Sequence, residues 1–308
     1  MLQVEELSKS YGKFLAVDRL SFNVEEGAIF GFVGPNGAGK TTTMKILATL
    51  LRPSSGKAWI AGEDVSQNPR RIRQLVGYMP DFFGVYDDLK VDEYLDFYSA
   101  SYRIPTRQRE KIISDLLELM DLEHKREAYV DSLSRGMKQR LCLARCLVHD
   151  PALLILDEPA SGLDPRARVE VREILKELKN MGKTIIISSH ILSELTELCT
   201  HLGIIEAGKM VACGSVDEIM HRSQSAQAIE IRVLSQIDEA LLLINNELGY
   251  SAIKLDEQML ELPFNGDEKE MNRILTHLVQ AGIPLVSFAE SQSNLENIFM
   301  QLTKGVVQ

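Results

Sequence analysis

Hydrophobic residues form short continuous runs in the first two thirds of the chain. The runs are AIFGFVG, ALLILDEP and KTIIISSH, at residues 28–34, 152–159 and 183–190. Strands that are apolar throughout are typical of a parallel sheet covered on both faces. Helical patterns follow the three runs at 39–51, 165–181 and 191–199. This alternation predicts an α/β fold with a mostly parallel sheet.

Two other patterns divide the rest of the chain. At about 90–150 the strand-like runs give way to helical periodicity, which predicts a helical insertion. In the last third, strands and helices are expected in the order βαββαβ, followed by one more helix at 294–302. That order predicts a small C-terminal α+β domain of the ferredoxin-like type. We therefore expect a first domain at 1–222 and an accessory domain at 226–308.

A glycine-rich turn separates the first apolar run from its helix. GPNGAGKTT matches the phosphate-binding motif G-x-x-x-x-G-K-[ST], and it lies between a strand and a helix as that motif requires. Backbone N–H groups of such a loop and the start of the helix bind phosphate oxygens. Lys40 is expected to reach the β- and γ-phosphates, and the Thr41 hydroxyl to bind Mg²⁺. The residues predicted to bind a nucleoside triphosphate are Gly34, Pro35, Asn36, Gly37, Ala38, Gly39, Lys40, Thr41 and Thr42.

The second and third apolar runs end on groups that can act on a bound triphosphate. Asp157 and Glu158 stand at the carboxyl end of a buried strand, where open α/β sheets bind ligands. A buried carboxylate needs a partner, and Mg²⁺ is the natural one for Asp157. Glu158 is then the candidate general base for a hydrolytic water. His190 ends the third run, where it can hydrogen-bond the γ-phosphate or the attacking water.

An amphipathic helical pattern begins near Ser134, in the stretch DSLSRGMKQRLCLARCL. The stretch contains no catalytic acid and no nucleophile with a neighbouring base. Because serine is a good N-cap residue, the stretch by itself predicts only a capped helix.

Together the motifs resemble those of the nucleotide-binding subunit of an ABC transporter, over about residues 1–222. LSRGM is similar to the signature motif of that family, usually written LSGGQ, and SGLD to its D-loop, which contains Asp164. The resemblance implies a P-loop NTPase core and two copies that meet head to tail, the signature of one contacting the ATP bound by the other. It also implies that Tyr11 stacks on adenine and that His190 is the switch histidine. The signature residues are Ser134, Arg135, Gly136 and Met137.

Three positions depart from the usual sequence of the family. Arg135 stands where a glycine is usual and Met137 where a glutamine is usual. Asp81, in GYMPD, stands where glutamine commonly reaches the metal and the attacking water. An aspartate can still bind Mg²⁺, so we predict that Asp81 acts as a metal ligand in the catalytic site. Compared with the usual glutamine, Asp81 also adds a negative charge and lacks the amide hydrogen-bond donor.

Four apolar side chains follow Asp81 within FFGVYDDL, namely Phe82, Phe83, Val85 and Tyr86. In the family this region meets the cytoplasmic coupling helices of the membrane subunit. The same side chains can equally belong to the core of the helical insertion, and the sequence leaves both interpretations open.

Charge and composition narrow the cellular context. The net charge of −10 argues against a nucleic-acid partner, because polyanions bind basic surfaces. The four cysteines contain no C-x-x-C pair, and the chain has no signal-peptide pattern and no run of about 18 apolar residues. We therefore predict a cytoplasmic protein, which the resemblance would place on the inner face of the cell membrane.

The resemblance implies an ATPase that uses ATP and Mg²⁺, forms a dimer with a second copy of itself, and powers a separate integral membrane permease. The helical insertion, the appended domain and SNLENIFMQLT at 293–303 resemble the ABC-2 type exporters most. Two other functions stay open: a soluble ABC-type ATPase that acts on the ribosome or DNA, and a sensor that binds ATP without turnover. The C-terminal domain shows no catalytic constellation, so dimer support, regulation and permease contact are all compatible with it.

Overall fold

Continuous apolar strands form the centre of this computed structural model, which describes residues 1–82, 84, 86, 88–189, 195–223, 228–264 and 266–291. The strands Ile29–Val33, Leu153–Asp157 and Thr184–Ser189 are buried at every position. They pair in parallel, as expected for strands that are covered on both faces. The α/β prediction for this part of the chain is confirmed.

The chain divides into two units, Met1–Val216 and Asp217–Gln301, each with its own apolar core. The strands of the first unit are β1 (Leu2–Tyr11), β2 (Phe14–Val24), β3 (Ile29–Val33), β4 (Ser55–Ile60), β5 (Glu63–Asp64), β6 (Val76–Met79), β7 (Leu153–Asp157), β8 (Thr184–Ser189), β9 (His201–Glu206) and β10 (Lys209–Ser215). Its described helices are α1 (Lys40–Leu47), α2 (Pro69–Leu75), α3 (Val91–Ser101), α4 (Thr106–Leu119), α5 (Arg135–Leu147) and α6 (Pro165–Asn180). Short 3₁₀ turns lie at Glu123–Lys125 and Val130–Ser132.

The first unit contains two sheets that share one core. The six-stranded sheet has the order β10–β9–β3–β8–β7–β6 and is parallel except at β10. The other sheet is antiparallel, with the order β2–β1–β4–β5. Phe22 of β2 stacks on Phe30 of β3 with ring centroids 5.2 Å apart, so the two sheets pack together.

The continuous apolar runs do not predict the antiparallel sheet. Buried and exposed residues alternate along much of β1 and β2, as they do when only one face of a sheet packs on a core. Such strands contain no apolar run long enough to stand out. The sheet matters for function because its first turn places Tyr11 opposite Phe14.

The predicted helical insertion contains α3, α4 and α5, which contact one another. Tyr94, Leu117 and Leu141, one from each helix, have no exposed surface. Helix α5 also contacts β6, where the Cys146 thiol donates to the Tyr78 carbonyl at 3.2 Å. The insertion is therefore joined to the parallel sheet through α5. Among the described helices, none is long and apolar enough to cross a membrane.

The second unit has the element order βαββαβ. Helix α7 (Val216–Ser223) runs across the division between the units, so the predicted boundary at residue 222 falls within this helix. The elements that follow are β11 (Ala228–Val233), α8 (Ile237–Leu242), a π-helical turn (Leu243–Glu247), β12 (Ile253–Lys254), β13 (Met259–Pro263), α9 (Glu268–Gln280) and β14 (Leu285–Ser291). Its antiparallel sheet has the order β12–β13–β11–β14. The predicted helix at 294–302 and the start of the one at 191–199 lie outside the described residues.

The core of the second unit can be tested at Ile231, which lies in β11 and has no exposed surface. Replacing Ile231 with Ala should lower the free energy of unfolding by about 2–5 kcal/mol, because it removes buried methyl groups and leaves a cavity. Urea unfolding followed by circular dichroism measures the change, while the single tryptophan, Trp59 of β4, reports on the first unit. Arg232→Ala, at an exposed position of the same strand, is the control. An unchanged unfolding midpoint for Ile231→Ala would contradict this packing.

Candidate functional site

The turn between β3 and α1 lines a pocket of about 230 Å³. Gly37 and Gly39 have φ angles of 82° and 104°, which side-chain-bearing residues rarely adopt. A Cβ on Gly39 would also lie 2.5 Å from the Ala16 carbonyl oxygen, so the loop passes close to β2 only with glycine there. The Ala38 N–H donates to the Pro35 carbonyl at 3.1 Å and closes the turn. The loop and the start of α1 thus form a cradle for phosphate.

Lys40 is the first residue of α1 and only 6 % exposed. Its ammonium group donates to the carbonyls of Gly34 at 2.5 Å and Pro35 at 3.2 Å, so it lies folded over the loop. Burial lowers the pKa of Lys40, and the nearby carboxylates, Glu158 foremost, oppose that effect. A bound phosphate would act on Lys40 in the same direction as those carboxylates. A phosphate bound beside Lys40 would therefore favour the charged form of its ammonium group.

Asp157, at the end of β7, is 1 % exposed and has one satisfied oxygen. Its Oδ1 accepts a hydrogen bond from Ser188 Oγ of β8 at 2.6 Å. Its Oδ2 is buried and has no hydrogen-bond partner within the part of the chain that the structure describes. Leaving a buried carboxylate oxygen without a partner is costly, and a hard cation such as Mg²⁺ binds such oxygens. With Thr41 and Asp81 exposed at the pocket, the residues present fit a Mg²⁺ ion bound together with a triphosphate.

Glu158 adopts a backbone conformation that is uncommon for its residue type. Its φ angle is 51°, and its N–H donates to Ser188 Oγ at 2.9 Å. The side chain is 12 % exposed, lines the pocket and approaches Lys40 Nζ at 3.9 Å. Backbone strain of this kind is often found at functional positions. From the pocket wall, Glu158 can accept a proton from a water beside a bound phosphate. The predicted catalytic histidine, His190, lies outside the described residues.

The same pocket brings together residues that are far apart in the sequence. Tyr11 and Asp81, two of the predicted site residues, line it with the phosphate loop. Phe14 also lines it and was not singled out in the sequence. Tyr11 and Phe14 are half-exposed and face each other across the turn between β1 and β2. The spacing of the two aromatics in SYGKF is the signal for this pair, because a two-residue turn places its flanking residues side by side.

The signature residues occupy a different pocket, of about 290 Å³. It is lined by Ser134, Arg135, Gly136, Met137 and Asp164, among others. Ser134 caps α5, its Oγ accepting from the Met137 N–H at 3.3 Å, and Asp164 caps α6 in the same way. No described residue lines both pockets. The signature residues of one chain therefore do not contribute to the phosphate pocket of that chain.

The apolar stretch after Asp81 is partly at the surface. Phe82 is 91 % exposed, and Tyr86 packs edge-on against Phe97 of α3 with ring centroids 5.4 Å apart. Both of those rings are about half-exposed. Phe82, Tyr86 and Phe97 form what we call the aromatic patch. Phe83 and Val85 lie outside the described residues.

Comparison with known proteins gives consistent matches. Residues 17–161 match the ABC transporter family. The linearmycin resistance ATP-binding protein of Bacillus subtilis is 32% identical over 306 residues, or 98% of each chain. The Nod factor export ATP-binding protein I of Ralstonia nicotianae is 39% identical over 305 residues, or 98% of this chain and 94% of that protein. A solved ATP-binding subunit of an ABC transporter matches with a TM-score of 0.66 and 30% identity, over 73% of this chain and 93% of that chain.

The aromatic pair can be tested by separating the base of ATP from its phosphates. Tyr11→Ala should weaken ATP binding by about 5- to 150-fold, the range expected for losing one aromatic ring stacked on a base. Inorganic tripolyphosphate carries similar charges without a base, so its affinity should not change. Isothermal titration calorimetry measures both ligands.

Tyr129, an exposed tyrosine of the helical insertion that does not line the pocket, provides the control variant Tyr129→Ala. If Tyr11→Ala weakens tripolyphosphate binding as much as ATP binding, the ring supports the loop and does not contact the base.

Proposed function

The chain belongs to the ABC transporter family of ATP-binding proteins, and on that premise we propose that it powers export through a membrane permease made of a separate polypeptide. It is an ATP-binding and ATP-hydrolysing subunit of a transporter. Relatives that match over nearly its full length act in linearmycin resistance and Nod factor export, which supports the export direction. They also favour a transporter over a soluble ATPase that acts on the ribosome or DNA.

The proposed mechanism of ATP hydrolysis rests on the arrangement of charged groups around Lys40. The loop and Lys40 would hold the triphosphate, and Thr41, Asp157 and Asp81 would hold Mg²⁺. When bound, Mg²⁺ supplies positive charge that neutralises the β- and γ-phosphates. Glu158 accepts a proton from the water that attacks the γ-phosphate. Tyr11 and Phe14 orient the nucleotide through its base.

The second half of the site comes from another copy of the chain. The signature pocket and the phosphate pocket share no described lining residue, so within one chain the signature residues do not line the pocket that would hold ATP. Ser134 is exposed at the start of α5, where a hydroxyl and the N-terminal N–H groups of a helix favour a phosphate. In a head-to-tail dimer, Ser134 and Gly136 of each copy complete the site that is formed by the other copy's Lys40.

The aromatic patch supports a contact with the permease. Phe82 is almost fully exposed, and a large aromatic side chain at the surface is typical of a protein interface. We assign the patch to the cytoplasmic segments of the permease. This contact would hold the chain at the inner face of the membrane.

The catalytic role of Glu158 is tested by Glu158→Gln, which keeps the shape of the side chain and removes the base. We expect the ATPase rate of purified protein to fall by roughly 10²–10⁴-fold, the range for losing a general base, while ATP binding survives. Glu173→Gln, at an exposed position of α6, is the control. An undiminished rate in Glu158→Gln would remove Glu158 from the mechanism. Wild-type protein that binds ATP without any turnover would instead support the sensor alternative.

The head-to-tail arrangement is tested with mixed dimers in which the two copies carry different tags. A dimer with Lys40→Ala in one copy retains one competent phosphate pocket, in the other copy. Ser134→Ala should abolish the remaining activity when it is placed in the Lys40→Ala copy, and spare it when it is placed in the copy with the intact pocket. Ser132→Ala, outside α5 and bonded to the Tyr129 carbonyl, is the control. The opposite pattern would show that each site uses the signature of its own chain.

A further inference from the structure

Arg135 connects the start of α5 to the loop that leads away from Glu158. We call residues 159–164 the connecting loop. Nη2 of Arg135 donates to the Ser161 carbonyl at 3.1 Å. The guanidinium group lies against Gly162, where an added Cβ would collide with its Nη1, Cζ and Nη2 atoms. Only a glycine at 162 leaves room for the Arg135 side chain in this position.

Side chains hold three alternate carbonyls of the connecting loop. Gln139, one helical turn after Arg135 on the same face of α5, donates to the Pro159 carbonyl at 2.5 Å. Arg168 of α6 donates to the Leu163 carbonyl at 3.0 Å. Arg135 holds the carbonyl between these two. The loop is therefore attached to α5 at two points.

The attachment reaches the candidate base through one residue. Ser161 accepts a hydrogen bond from Arg135 at its carbonyl and donates its own N–H to the Glu158 carbonyl at 3.0 Å. Arg135 itself neighbours Ser134, the residue placed at the phosphate of the other copy. A continuous chain of contacts thus runs from the signature to Glu158 within one chain.

The contact made by Arg135 differs from the other arginine contacts in its pocket. Arg140 and Arg166 form ion pairs with Glu170. Arg135 is exposed, and within the described residues its guanidinium group is held by a carbonyl and not by a carboxylate. An exposed contact of this kind contributes little to the stability of the fold. Its loss can therefore be studied in folded protein.

We propose that Arg135 is a positioning residue that couples the two ATP sites of the dimer, an inference that rests on the head-to-tail function proposed above. Each signature contacts the ATP held by the other copy. When it does so, α5 moves, Arg135 moves the Ser161 carbonyl with it, and Glu158 of the same chain is placed for its own ATP. Binding at one site thereby prepares the base at the other.

Because Arg135 is positively charged, it has a second possible role, which is to contact directly the phosphate of the ATP held by the other copy. An experiment has to separate this role from coupling through the loop. Gly162→Ala distinguishes the two roles. It keeps the charge of Arg135, but its methyl group would occupy the space of the guanidinium group, which has to shift. We expect this shift to separate the group from the Ser161 carbonyl. If coupling passes through the loop, Gly162→Ala and Arg135→Ala should have the same defect.

The experiment measures ATPase rate against ATP concentration for the full-length dimer, and ATP binding by calorimetry. Both variants should lower kcat by about 2- to 30-fold, the range for residues that carry coupling between sites. The Hill coefficient of the cooperative wild type should fall towards the non-cooperative value, while ATP affinity at the phosphate loop stays unchanged. A purely structural contact would not remove cooperativity selectively.

Two controls match the substitutions. Arg107→Ala removes an arginine at an exposed position of α4 that lines neither pocket, and it should leave the Hill coefficient unchanged. Gly182→Ala places a methyl group at a similar positive φ, 84°, with no atom within 4 Å of the new Cβ, so it reproduces the backbone strain without the collision.

Impaired Arg135→Ala beside wild-type kinetics for Gly162→Ala would overturn the inference in favour of a direct phosphate contact. An unchanged Hill coefficient in Arg135→Ala, or a non-cooperative wild type, would also overturn it. If Gly162→Ala does not fold, the calorimetric ATP affinity of Arg135→Ala separates the two roles, because losing a direct phosphate contact would weaken ATP binding and losing the loop contact would not. Failure of the proposed function looks different, because the wild type would then lack turnover or Ser134→Ala would act within its own chain.

Discussion

The hydroxyl of Ser188 is the contact on which the catalytic edge of the sheet depends. It donates to Asp157 Oδ1 and accepts from the N–H of Glu158, so one side chain of β8 fixes both acids at the end of β7. This requires the parallel pairing in which Asp157 stands opposite Ser188. The pairing in turn requires strands that are buried along their whole length. The packing of these strands in the core therefore also determines where the two carboxylates lie.

A buried carboxylate such as that of Asp157 is destabilising until a cation neutralises it, and the ammonium group of Lys40 lies nearby. Lys40 reaches Glu158 at 3.9 Å while its own charge is held by loop carbonyls. The pocket can exchange these internal contacts for phosphate and metal without rearranging the sheet. The rigid part of the site is thus complete in one chain. The signature residues line a separate pocket, so their contact with ATP belongs to the proposed dimer.

Sequence patterns predict the parallel strands and the phosphate loop because both are local. An apolar run and a glycine-rich turn are visible within ten residues of one another. Apolar runs do not predict the antiparallel sheet, because its strands alternate buried and exposed residues. They do not predict the role of Phe14 either, because that role depends on its pairing with Tyr11 across a turn. The unpaired Oδ2 of Asp157 is a property of packing and has no local signature. The signature helix is an intermediate case: its serine cap follows from residue type, and its role in a dimer follows only from resemblance.

The contact made by the arginine at position 135 depends on which residue occupies position 162. A glycine there, as is usual in the family, would leave the Ser161 carbonyl without a side-chain partner from the first turn of α5. The arginine reaches that carbonyl only because position 162 lacks a side chain and adopts a φ of 66°. The two positions therefore constrain each other across 27 residues of sequence (162 − 135). Since Gln139 already attaches the same loop to α5, the arginine does not create the attachment. It adds an attachment at the start of the helix, the end that would face the other copy in the proposed dimer and where a signal from bound ATP would enter.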